Sequence, residues 1–187
     1  MNRIVNKRVV GNKRVVGNKR VVDNNKLNSI VNYESFGGWA ISKELFDWIL
    51  ENIPTGSTIL ELGSGNGTKE LVKFYNVYSV EHDIRWVDLV AKSNYIHAPL
   101  VDGWYDIEVL KEKLPISYDL LLIDGPIGEN RVNIMRYYDM FNKNVPIIID
   151  DTNRENDKNM SLFLLEKFNK QFTFTVECGD KKFTIIY

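Results

Sequence analysis

Cysteine is nearly absent from this chain. The single one, Cys178, stands among 187 residues, which excludes an internal disulfide framework and suits a reducing compartment. Its surroundings read as a half-buried strand. No stretch approaches the roughly 18 consecutive apolar residues of a membrane span. No apolar signal core is visible near the N-terminus either, so the expectation is a cytoplasmic protein with no membrane partner. A strong charge of one sign is also missing overall, since the net charge is −1.

That balance hides an asymmetry. Residues 1–26 hold eight Lys/Arg and one acid, leaving 16 and 24 for the rest, so a tail of +7 precedes a body of −8. The tail is a hexapeptide repeat: Asn6-Lys-Arg-Val-Val-Gly11 recurs at 12–17, and at 18–23 with Asp23 in the last place. Three such copies are too few to bury a core, and their valine pairs follow neither helical nor strand periodicity. The segment reads as a solvated low-complexity extension; an arm for nucleic acid is the alternative. From residue 33 to 187 the pattern is that of one globular domain. The hydrophobic share of 44% and 22 aromatics supply an ample core.

Ser42 is placed to cap a helix through about Asn52, with Leu45, Phe46, Ile49 and Leu50 on one face. Five strand-like segments follow at 58–62, 77–81, 94–98, 118–124 and 145–149. Helices are expected near 68–75, 83–92, 106–113, 130–141 and 156–170. Strand–helix alternation at this spacing argues for a doubly wound, mostly parallel α/β sheet. The segments flanking Gly179-Asp180 read as an antiparallel β-hairpin, which brings the sheet to seven strands.

The first strand runs into "ELGSGNGT", residues 61–68. Gly63, Gly65 and Gly67 permit a tight turn and close backbone approach to a ligand. The spacing G-x-G-x-G departs from the G-x-G-x-x-G of pyrophosphate-binding dinucleotide folds. Glu81 ends the second strand 20 residues after Glu61, where an acid accepts hydrogen bonds from a ribose diol.

In these residues the chain resembles the class I S-adenosylmethionine-dependent methyltransferases. Their first motif, E/D-x-G-x-G-x-G, is met by residues 61–67, and their acid at the end of the second strand by Glu81. The resemblance implies a Rossmann-like methyltransferase fold that binds S-adenosyl-L-methionine. Gly63, Ser64 and Gly65 would border the methionine part, with Glu61 near its ammonium group and Gly67 completing the motif. Glu81 would hold the ribose. Gly38 in "SFGGWA" is a further candidate for the methionine end. Where many members carry an acid or amide after the third strand, this chain has "IHAPL", so His97 or Ala98 is the candidate lining for the adenine.

Three carboxylates then stand out. Asp124 follows the fourth strand, and Asp150 and Asp151 follow the buried run "VPIII". If the strand order follows that of the methyltransferases the chain resembles, strands four and five are neighbours about 4.8 Å apart, close enough for the three to share one cation. The set resembles the metal-dependent O-methyltransferases of the catechol and macrocin types, which implies a magnesium site at Asp124, Asp150 and Asp151. Ordering of the Gly125-Pro126 turn and capping of the next helix are the alternatives. The catechol enzymes carry a lysine three residues after the strand-four Asp, but this chain has Ile127. Asp124, Glu129 and His97 are therefore all candidate general bases. Arg131 and Arg154 are candidates for meeting an anionic substrate, or else solvated surface arginines. Trp104 and Tyr105 either recognise the acceptor or pack.

The expected activity is methyl transfer to a hydroxyl of a sugar or another small polyhydroxylated acceptor. RNA methylation aided by the basic tail is a second possibility, although Asp124-Gly-Pro-Ile127 lacks the [DN]-P-P-[FYW] pattern of base-amino methyltransferases. A non-catalytic module that binds S-adenosylmethionine is a third. The sequence leaves the oligomeric state open.

Overall fold

The computed structural model describes residues 30–32, 34, 36 and 40–187. The repeat tail, Gly37, Gly38 and Trp39 lie outside them. Helix α1, Lys43–Asn52, opens as anticipated: the Ser42 hydroxyl accepts the Leu45 N–H at 3.1 Å, and Leu45, Phe46, Ile49 and Leu50 are buried.

The strands are β1 (Thr58–Leu62), β2 (Asn76–Glu81), β3 (Asn94–His97), β4 (Leu100–Val101), β5 (Trp104–Tyr105), β6 (Leu120–Ile123), β7 (Ile147–Ile149), β8 (Thr173–Cys178) and β9 (Lys181–Ile186). Among the described residues the remaining α-helices are α2 (Asn66–Leu71), α3 (Ile107–Lys113) and α4 (Glu155–Lys167). Seven strands form one sheet in the order β3-β2-β1-β6-β7-β9-β8, while β4 and β5 pair only with each other. The first five run parallel. Strand β9 is antiparallel to β7 and pairs with β8 in the terminal hairpin.

Both faces of the central strands are buried, which is why their sequences are near-continuous apolar runs. Along β1, Ile59 faces a cluster with α1 and α2, including Phe46, Ile49 and Leu71. Leu60 and Leu62 face the opposite cluster, with Leu110 of α3 and Met160 and Leu164 of α4. The chain enters the sheet at β1, moves outward to β2 and β3, then crosses back to β6 on β1's other side. Loops diverge above the β1–β6 seam, the switch point where such sheets hold ligands.

Two expected helices do not form. The segment 83–92 contains one 3-10 turn, Ile84–Trp86, capped by the Asp83 carboxylate. Asp88 then takes φ +61°, a left-handed conformation that ends helical winding. The segment 130–141 is wound as 3-10 turns, Gly128–Arg136 and Tyr138–Met140. An unexpected element is the β4–β5 hairpin, which turns on Asp102 and Gly103, both at positive φ. It delivers Trp104 and Tyr105 into the core with no exposed surface, so both aromatics pack and neither faces the cleft. Among the described residues no helix is long and apolar enough to cross a membrane.

Candidate active site

The sheet ladder continues past the ends of the strands and fixes the loop residues above the switch point. The Gly63 N–H donates to the Val80 carbonyl (2.9 Å), Asp124 to Leu62 (2.9 Å) and Asp150 to Ile123 (3.0 Å). Glycine loop and aspartates are thus held by the same rigid layer. Above them lies a cleft of about 820 Å³, bordered by Gly63, Ser64, Gly65 and Glu81 at one end and Asp124, Asp151 and Asp157 at the other. That volume is ample for a small ligand.

At the glycine-loop end, Gly63 turns at φ +89°. Glu81 is buried, and its two oxygens accept main-chain N–H groups from Ser64 (3.0 Å), His82 (2.7 Å) and Asp83 (2.8 Å). The carboxylate therefore ties the glycine loop to the turn after β2 while it borders the cleft. Glu61 lies beneath the loop, where one of its oxygens accepts the hydroxyls of Thr68 (2.9 Å) and Ser79 (2.7 Å). Burial raises its pKa to about 7, the two hydroxyls pull it down, and neighbouring Glu81 adds to the rise. Thr68 also accepts the Gly65 N–H (3.0 Å), so Glu61 braces the loop from below. Gly67 is buried against Ile41, where a Cβ would meet that side chain at 2.7 Å. Gly38 falls outside the described residues.

At the other end, carboxylate oxygens of Asp124, Asp150 and Asp151 all lie within 4.8 Å of one another. Asp150 is 1% exposed, and neither of its carboxylate oxygens has a well-formed hydrogen bond among the described residues. Its pKa is raised to about 6, chiefly by burial and then by the charge of Asp151. Asp124 is pushed well above the usual carboxylate range by burial, reinforced by Asp150 and opposed by Arg131. Asp151 adopts φ +57° and pairs with Arg154 at 3.0 Å. Neither Asp150 nor Asp151 caps α4, whose N-cap position is Arg154 with no side-chain cap bond. The capping alternative for this acidic pair is thereby removed.

Arg131 is not a surface arginine. It is 3% exposed and enters the acidic cluster from the 3-10 segment. Asp157, in the first turn of α4, is a fourth buried acid here, and sequence reasoning passed over it. His97 does not border the cleft; its Nε2 lies 3.3 Å from the His82 carbonyl. Glu129 stands exposed on the rim, together with Ile127. His82, Arg85, Trp86 and Lys181 also line the cleft and carried no sequence signal beyond their proximity to Glu81 and the terminal hairpin.

No protein-family model and no curated protein matches the sequence. Solved structures do match its fold. An O-methyltransferase from Bacillus cereus in complex with SAH superposes with a TM-score of 0.56 at 14% identity, over 87% of this chain and 86% of that one. Precorrin-6y C5,15-methyltransferase from Geobacter metallireducens GS-15 gives 0.55 at 11% identity, over 84% and 96%. The ribosomal protein L11 methylase of Lactobacillus delbrueckii subsp. bulgaricus gives 0.53 at 13%, over 76% and 75%. The seven-stranded, mostly parallel sheet with its antiparallel terminal hairpin is therefore the fold of the class I S-adenosylmethionine-dependent methyltransferases.

Proposed function

We propose that this chain transfers the methyl group of S-adenosylmethionine to a hydroxyl of a sugar or other small polyhydroxylated acceptor, with Mg2+ assisting. The observation that carries this reading is a cleft lined both by the Gly63–Gly65 loop and Glu81 and by Asp124 and Asp151 of the aspartate cluster. The O-methyltransferase neighbours favour a hydroxyl acceptor, although other neighbours bear the names of methylases of different substrates.

The residues fit both groups. Gly63 and Gly125 pack backbone against backbone beneath the cleft they border, and Glu81 is an acceptor beside them. The cosubstrate supplies an electrophilic methyl on a sulfonium centre. Glu81 would orient its ribose, and Gly63, Ser64 and Gly65 would border its methionine part.

The buried Asp150 carboxylate makes no well-formed hydrogen bond among the described residues, and Asp124 and Asp151 add hard oxygen donors, the ligand type that Mg2+ selects. These three would hold the ion, whose charge lowers the pKa of a hydroxyl bound to it. Of the candidate bases, Asp124 and Glu129 border the cleft, and to them we assign the acceptor's proton. The cleft walls hold the two reactants in line, converting a bimolecular step into an intramolecular one.

Calorimetric titration with S-adenosylhomocysteine and MgCl2, separately and together, tests this reading, followed by mass-spectrometric turnover on sugars and catechols with and without chelator. Absence of cosubstrate binding at millimolar concentration would sink it. Tight binding without turnover on any acceptor would instead indicate a non-catalytic module.

A further inference from the structure

The aspartate cluster already contains a cation of its own. Arg131 lies with Nη1 3.2 Å from the Asp150 carbonyl oxygen, 3.5 Å from Asp151 Oδ2 and 3.7 Å from Asp157 Oδ1. Its Nη2 donates to the Asp124 carbonyl and lies 3.3 Å from Asp124 Oδ1. The guanidinium is thus bonded to the main-chain oxygens of Asp124 and Asp150 and to Asp124 Oδ1, while its contacts with the Asp151 and Asp157 carboxylates are longer. Arg131 neutralises the acids by proximity without engaging them in close bidentate pairs. Among the described residues its own Nε has no acceptor, and the Asp150 carboxylate makes no well-formed hydrogen bond.

Ionised together, the four buried or half-buried carboxylates would outweigh the charge of one guanidinium. The other nearby cations are Arg154, half exposed and paired with Asp151, and Lys181, whose ammonium donates to the Ala40 carbonyl at 3.0 Å. Like charges at these separations repel strongly where water is scarce, so the cluster needs Arg131 to stay assembled without an ion. The same charge must repel an incoming divalent cation.

We propose that Arg131 is a resident counter-cation that preassembles the aspartate cluster and holds its affinity for divalent ions low. The inference rests on the metal reading given above and adds a positioning residue to it. It makes divalent binding an exchange against a built-in charge, in which the fold does not depend on the ion.

The test uses the full chain with R131Q, D157N and the double variant R131Q/D157N, because Asp157 lies outside the three proposed ligands. Affinity for Mn2+ is measured by calorimetry, and melting temperature is measured in EDTA and in excess Mn2+. R131Q is expected to bind Mn2+ at least ten-fold more tightly than the unsubstituted chain, to melt lower in EDTA and to recover when Mn2+ is added. Should R131Q alone fail to fold, the double variant restores charge balance and is compared with D157N, again with at least ten-fold tighter binding expected. Equal Mn2+ affinity with and without Arg131 would overturn this proposal alone. Absence of Mn2+ binding in every variant would overturn the metal reading and this proposal together.

Discussion

Gly63 and Gly125 meet so closely that a Cβ on either would lie inside the backbone of the other, 2.8 Å from Gly125 N in one case and 2.7 Å from Gly63 Cα in the other. This contact joins the glycine loop after β1 to the turn after β6 and closes the floor of the cleft. A Cβ on Gly125 would also strike the Tyr105 hydroxyl at 2.6 Å. Gly63→Ala carries a left-handed penalty besides the clash, so it is expected to cost about 2–4 kcal/mol; Gly125→Ala is expected to cost about 1–3 kcal/mol. Urea denaturation measures both costs. Loss of S-adenosylhomocysteine affinity in the residual folded fraction would report the distorted floor.

Glu81→Gln tests the acid at the end of β2. One of its oxygens becomes an NH2 group facing main-chain N–H donors, so the three bonds cannot all be kept: one amide orientation loses that from Ser64, the other those from His82 and Asp83. S-adenosylhomocysteine affinity is expected to fall by roughly 10–100-fold, in line with loss of a charged hydrogen-bond acceptor. Calorimetry at pH 7.5 measures it, and unchanged affinity would remove Glu81 from the ribose assignment.

Glu61 gives stability a pH dependence of definite sign. Burial, the largest cause, raises its pKa in the folded protein from 4.5 to about 7. Between those values the folded state holds a proton that the unfolded state has released. The contribution is therefore full below pH 4.5 and is lost as pH rises through 7, by roughly 3 kcal/mol in total. Glu61→Gln should flatten this slope and be relatively more stable at pH 8 than at pH 5. Chemical denaturation of both proteins at the two pH values decides it; parallel pH profiles would show that Glu61 is not the titrating group.

Asp150→Asn removes a buried charge that accepts no well-formed hydrogen bond. In chelator at pH 8 the substitution is expected to stabilise the fold by about 1 kcal/mol, since an unpaired buried carboxylate is costly. It should also abolish any thermal shift produced by Mg2+. A thermal shift retained in Asp150→Asn would mean that the ion binds elsewhere.

Deleting residues 1–26 takes +7 of charge from a protein of net −1. Cosubstrate affinity is expected to be unchanged, because every residue assigned to that end of the cleft lies beyond 36. If RNA is the acceptor, RNA binding should weaken on truncation and its salt dependence should become shallower. Filter binding at two salt concentrations reads this directly.

Much of the architecture was legible in the sequence because it rests on local rules. The runs that became β1, β6 and β7 are apolar on both faces, Ser42 announced α1 by its capping position, and Gly179 takes the positive φ that the terminal hairpin needs. The β4–β5 hairpin carried its own signal, Asp102-Gly103 between two apolar pairs, although the sequence left Trp104 and Tyr105 open between recognising the acceptor and packing. The segment 83–92 looked helical by its composition, and the left-handed turn at Asp88 overrode that preference. The role of Arg131 was not legible at all. Its partners lie 7, 19, 20 and 26 positions away, and only the β6–β7 pairing and the docking of α4 bring them together. Asp150, in contrast, was placed beside Asp124 by the strand order that the resemblance implies, and the β6–β7 pairing has that order.

The crossovers from β2 to β3 and from β6 to β7 consist of loops and 3-10 turns where other crossovers carry α-helices. They contribute His82, Arg85 and Trp86 to one side of the cleft rim and Pro126, Ile127 and Glu129 to the other. The floor hangs from the sheet ladder, whereas the rim does not. The turn after β2 is nevertheless tied to Glu81 through the His82 and Asp83 N–H groups, whereas the rim from Pro126 to Glu129 can be exchanged in short blocks without disturbing the strand pairing beneath. Under the proposed function, a change of acceptor would be a matter of regrafting that second loop alone.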